Sequence, residues 1–138
     1  MPDAPRLSPT VALLTLSRAA EIEMARVLEP HGLTLRKYGI LSRIAAVPGI
    51  SAADLARRAA LAAEDIAPLL RALRDAGLTR AADERSATVT ITPAGSRLLA
   101  LLDTAVADVD ARLFHGERAE LASALLEATS ERLGAPQD

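Results

Sequence analysis

The sequence predicts a mainly α-helical fold with one small β-hairpin, and three observations carry that expectation. Apolar residues recur at spacings of three and four along most of the 138 residues, the period changes to two between Gly77 and Thr92, and Gly, Pro and capping hydroxyl residues mark the joints. Half the residues are apolar, yet Tyr38 and Phe114 are the only aromatics, so Leu, Ile, Val and Ala must fill the core. A chain of this length is expected to form one domain, 1–138, and to bury a core without disulfides or metals.

From Ser8 to about Glu29, Leu13, Leu16, Ala20, Met24 and Val27 fall on one helical face, and Pro30-His31-Gly32 ends the helix. Thr34 caps a second helix that carries Leu35, Tyr38, Leu41 and Ile44 and closes at Pro48-Gly49. Ser51 opens a third, with Asp54 in the place of the usual capping-box Glu and with Ala52, Leu55, Ala56 and Ala59 facing inward. A break at Ala60-Leu61-Ala62 leads to the stripe Ile66, Leu69, Leu70 and Leu73, which stops at Gly77. Leu78-Thr79-Arg80 and 87–91 read as two strands around a polar tip of Asp83, Glu84, Arg85 and Ser86. Thr92-Pro93 then starts a long helix with Leu98, Leu102, Ala105, Val109 and Leu113 on one side, and a last helix runs from about Glu117 to Arg132.

Composition narrows the function. The absence of Cys excludes a thiol switch and removes the commonest ligand of structural zinc. No Gly-rich phosphate loop, nucleophile elbow or metal-spaced His cluster appears, so an enzyme is not expected, and no cofactor or metal is implied. The start has no basic segment leading into an apolar one, and no stretch approaches the roughly 18 apolar residues of a membrane span; the expectation is a soluble cytoplasmic protein with no membrane partner. The net charge of −2 gives no global signal for nucleic acid.

The element order, two helices, a helix-turn-helix, a hairpin, a long helix and a last helix, is that of a winged helix-turn-helix with flanking helices. Four stretches resemble the MarR family of transcriptional regulators: Leu28-Glu29-Pro30-His31-Gly32-Leu33-Thr34-Leu35-Arg36-Lys37-Tyr38 at the entry to the second helix, Asp54-Leu55-Ala56-Arg57-Arg58 in the first helix-turn-helix helix, Asp75-Ala76-Gly77-Leu78 at the end of the recognition helix, and Ile91-Thr92-Pro93-Ala94-Gly95 at the strand-to-helix junction. The resemblance implies a ligand-responsive homodimer on a pseudo-palindromic operator, with 8–29 and 92–133 as dimerisation helices and 34–91 as the winged helix-turn-helix. Two recognition helices would enter successive major grooves of double-stranded DNA, about 34–36 Å apart, with the wings reaching toward the flanking backbone or minor groove. A small organic ligand, often an aromatic acid, would bind between the dimer core and the DNA-binding lobe and change DNA affinity.

One segment departs from the family pattern. Where small polar residues and Arg are usual, this chain has Ala62-Ala63-Glu64-Asp65-Ile66-Ala67-Pro68, and the carboxylates face a polyanion although either can accept from a cytosine amino group. Pro68 inside a helix deletes a hydrogen bond and clashes with the preceding turn, at a cost of ~3 kcal/mol or more. The expectation is therefore that Asp65 is the N-cap, that Pro68 lies in the first turn, and that the recognition helix is shortened. Across Ser51 to Ile91, Arg57, Arg58, Arg71, Arg74, Arg80 and Arg85 meet an equal number of acids, Asp54, Glu64, Asp65, Asp75, Asp83 and Glu84.

The candidate DNA contacts are Arg85 and Ser86 at the wing tip, Arg80 on the wing, Arg71 and Arg74 on the recognition helix, and Ser51. The candidate ligand contacts are Tyr38, His31 and Arg18. Each has a bland reading beside it: helix-face arginines are commonly solvated or paired along the helix, and a lone Tyr is commonly a core residue. The rival to the regulator is a MarR-like homodimer that has lost DNA binding and binds or transforms a small molecule, or acts through a protein partner.

Overall fold

A computed structural model describes residues 8–83 and 87–131. Helix α1, Pro9–Leu28, has Pro at its first position, where the missing amide is not needed, and runs into a short 3-10 turn, Glu29–His31. Gly32 adopts a φ of 70°, and the amides of Gly32 and Leu33 reach back to the carbonyls of Glu29 and Leu28 at 3.0 and 3.3 Å. That pair of backward bonds satisfies the last helical carbonyls, which is why the Pro-His-Gly stretch ends the helix. Helix α2, Leu35–Ala46, is capped by Thr34, whose Oγ1 accepts from the Lys37 amide at 3.2 Å.

Ile50–Ser51 forms a short strand, β1, followed by α3, Ala52–Arg58, and α4, Ala63–Asp75. The hairpin is β2, Thr79–Asp83, and β3, Thr88–Ile91. The sheet is antiparallel in the order β1-β3-β2, with Ile50 opposite Val89 and Arg80 opposite Thr90, and the β2–β3 register shifts between Ala81 and Asp83. Strand β1 was not expected, because two residues ahead of a helix cap carry no periodicity; the Ala52 amide donating to Ala87 O at 2.9 Å carries the pairing into α3.

The recognition helix corrects the expectation built on Pro68. Ala62, not Asp65, occupies the N-cap position, with no side-chain hydrogen bond, and α4 keeps its full span with Pro68 in its second turn. The Glu64 carbonyl thereby lacks its usual helical donor. Burial offsets the cost, since Ile66 and Leu73 are sealed into the core on either side of the proline. Glu64 and Asp65 lie in the first turn, where the helix dipole favours negative charge.

Thr92 joins the hairpin to α5, Pro93–Leu113. Its hydroxyl donates to Gly77 O at 2.6 Å and accepts from the Gly95 amide at 3.1 Å, and its amide donates to Leu78 O at 3.0 Å. A Cβ on Gly95 would lie 2.3 Å from Leu78 O, so only glycine permits this approach. A 3-10 turn, Gly116–Arg118, precedes α6, Ala119–Thr129; the single helix expected from Glu117 is thus split at its start.

The core gathers Leu28, Leu33, Ile40, Leu41, Ile44, Ile50, Leu55, Ile66, Leu73 and Leu102 beneath the helix-turn-helix. Helix α1 packs along α5, where Arg112 donates to Glu23 at 3.2 Å. Leu14 on α1, Leu101 on α5 and Leu126 on α6 are 64, 66 and 72% exposed. Among the described residues no helix is long and apolar enough to cross a membrane.

Candidate nucleic-acid interface

The helix-turn-helix is α3 and α4 held by a four-residue turn, 59–62. Ser51 caps α3 by accepting from the Asp54 amide at 3.0 Å. The Asp54 carboxylate turns away from a capping-box role and takes Arg57 and Arg58 of the next turn, the latter at 3.3 Å. The hydrogen bond from Arg57, aided by the positive charge of both guanidinium groups, holds the Asp54 carboxyl below its ordinary range. Helix α3 ends with the Ala60 and Leu61 amides bonded to the carbonyls of Arg57 and Ala56 at 3.2 and 2.9 Å, and Ala60 takes the left-handed φ of 54° that this ending requires.

Beyond the turn, Glu64, Asp65, Ala67 and Pro68 form an exposed tip. The cations lie further along: Arg71 and Arg74 on α4 and Arg80 on β2 converge on one cleft of about 490 Å³ between the helix and the sheet. Ala67, Leu70 and Val89 line it with them. All three arginines are exposed, and none forms an ion pair or side-chain hydrogen bond with a described residue. The interface is therefore polarised, acidic at the tip of α4 and basic on its wing side.

A second cleft of about 570 Å³ opens where α1, the start of α2 and α4 meet. Arg18, Glu21, Arg36 and Lys37 surround it, with Ile22, Leu35 and Leu69 as its apolar surface. Leu69 belongs to α4, so the recognition helix forms a wall of both clefts.

No protein-family model matches the chain. A transcriptional repressor of the helix-turn-helix type from Mycobacterium tuberculosis, Rv2887, is 34% identical over 95 residues, which span 66% of this chain and 68% of the repressor. The crystal structure of that MarR-family protein in complex with DNA superposes with a TM-score of 0.75 and 28% identity, covering 91% of this chain and 98% of the other. The chain belongs to the MarR family. The same relative in complex with p-aminosalicylic acid gives a TM-score of 0.69 at 28% identity, over 94% of this chain and all of the other.

Of the DNA contacts expected in this MarR-family chain, Arg71, Arg74 and Arg80 share the wing-side cleft. Ser51 stands apart from them in use: it is half-buried and its hydroxyl is engaged as a helix cap. Arg85 and Ser86 lie outside the described residues. Of the expected ligand contacts, Arg18 lines the second cleft, whereas Tyr38 packs half-buried against the core and His31 is exposed on the 3-10 turn. Glu21, Arg36 and Lys37 line the same cleft and were not among the expected contacts. A signal for the last two existed, since cations in a first helical turn oppose the dipole, and a MarR-family helix that places Arg and Lys there, with no acid, invites an explanation. Among the described residues no cluster of His, Asp and Glu is arranged to hold a metal.

Proposed function

We propose that the chain is a ligand-responsive transcriptional regulator, not an enzyme, that binds operator DNA as a homodimer. The convergence of Arg71, Arg74 and Arg80 on one cleft carries this reading. Three exposed guanidinium groups without acidic partners among the described residues make this cleft basic, and a phosphate backbone accepts their charge-assisted hydrogen bonds while fixing the register of α4 on the duplex. The DNA complex of Rv2887 supports the partner, and its p-aminosalicylic acid complex supports a small organic acid as the effector. On this reading the protein works in the cytoplasm with the chromosome, and the exposed leucines of α1, α5 and α6 meet a second copy.

A ligand in the cleft against Leu69 bears directly on the helix whose other side carries Arg71 and Arg74. Displacement of α4 by such a ligand changes how the two reading heads of a dimer fit the duplex, and DNA affinity changes with it.

Fluorescence anisotropy of the protein on duplex from its own promoter, over a range of salt, tests the reading. Binding is expected to weaken steeply with salt. Arg74→Ala should lower the slope of log K against log salt by about two, one lost phosphate contact per protomer. The exposed acids at the tip favour one rival, a dimer that no longer reads DNA; absence of binding at low salt by a folded dimer would establish it.

A further inference from the structure

We propose that the cleft between α1, α2 and α4 selects amphoteric ligands, small organic acids that carry an N–H donor opposite the carboxylate. Arg36 and Lys37 hold the anionic end and Glu21 accepts from the donor end. The inference rests on the reading of this cleft as the effector site.

The chemistry of the lining carries it. Arg36 and Lys37 form no ion pair with a described residue, so they supply uncompensated positive charge at the α2 side. Glu21 is the one acid on the lining, and its Oε2 meets Arg18 Nη1 at 3.2 Å. In a site evolved for a plain anion a carboxylate on the wall is a liability, because it repels the ligand across the same space. Arg18 and Glu21 are 76 and 50% exposed, so their pairing is weak and leaves Glu21 with acceptor sites unused. Arg18 thus orients Glu21, and a donor on the ligand completes its shell. Ile22, Leu35 and Leu69 fit the apolar body between the two polar ends, and the volume of about 570 Å³ lies within the range of small-molecule sites.

Titration calorimetry of the full chain with 4-(aminomethyl)benzoate and with 4-methylbenzoate tests the proposal, since the two differ only in the ammonium group, which brings both the N–H donor and a positive charge. The aminomethyl compound is expected to bind about tenfold more tightly. Glu21→Ala should erase that preference while leaving 4-methylbenzoate affinity unchanged or raised, and Arg36→Ala with Lys37→Ala should weaken both compounds alike. Equal affinity of the wild type for the two probes, or a preference that survives Glu21→Ala, overturns the role of Glu21 while the cleft remains a ligand site. Binding of neither probe overturns the cleft as the effector site and the selectivity with it. Circular dichroism of each variant separates loss of binding from loss of fold.

Discussion

Ala60 and Gly95 occupy positions where backbone geometry, not side-chain chemistry, sets the identity of the best residue. Ala60 adopts a left-handed φ of 54° at the end of α3, a place that glycine fills in the equivalent endings at Gly32 and Gly77. Left-handed backbone costs a Cβ-bearing residue about 1–2 kcal/mol, whereas glycine loses about 0.5–1 kcal/mol more conformational freedom on folding. Ala60→Gly is therefore expected to stabilise the protein by roughly 0.5–1 kcal/mol in urea unfolding, with no change in the slope of the transition. Gly95→Ala acts in the opposite direction, because the new methyl would meet Leu78 O at 2.3 Å and that carbonyl is already fixed by the Thr92 amide. A loss of about 1–3 kcal/mol, read as a fall in Tm, is the expected outcome. Asp54 adds a pH dependence. Its carboxyl titrates lower in the folded protein than the ordinary value of 3.8, so its stabilisation is complete above that value and is lost as pH falls through the folded-state value. Asp54→Asn should flatten the acid limb of stability below pH 3.8, and an unchanged limb would mean that the two arginines do not hold the carboxylate in solution.

Helix α4 carries the largest conflict between local preference and tertiary structure. Pro68 deletes the bond to the Glu64 carbonyl, and the start at Ala62 lacks a side-chain cap, yet the helix begins at Ala63. Pro68→Ala is expected to stabilise the protein by up to about 3 kcal/mol and to slow amide exchange in residues 64–67 relative to the wild type. The boundary was misjudged from the sequence because the Pro penalty was weighed alone; the burial of Ile66, which needs a helical backbone already in the first turn to face the core, decides it. The other elements were legible because each had a local cause. Thr34, Ser51 and Thr92 cap the helices that the sequence assigned to them, and the stripe Ile66, Leu69, Leu70 and Leu73 turns its buried side to the core. Strand β1 was not legible, since its pairing with β3 joins residues almost forty positions apart and leaves no pattern in two residues.

For the molecule as a whole, the apolar residues left outside the core bear on the proposed dimer. Leu14, Leu101 and Leu126 lie on the three helices expected to form a dimer, and each is more than half exposed in the single chain. Leu126→Glu should shift the sedimentation coefficient toward that of a monomer and weaken DNA binding in parallel, while helicity measured on α1–α5 is retained. The candidate DNA site was legible to the extent that Arg71, Arg74 and Arg80 were named before their convergence was visible. The cleft proposed for the effector was not, apart from Arg18, because its walls come from three helices and proximity of Glu21 to Arg36 and Leu69 exists only after folding. Helix α4 stands between the two clefts, so under the proposed function occupancy of one is linked to occupancy of the other. Binding free energies around a closed cycle must sum to zero, so a ligand that lowers operator affinity tenfold is itself held tenfold less tightly by the DNA-bound dimer. Dimers free of operator would then capture the effector first, and the copies seated on an operator would be the last in the cell to sense it.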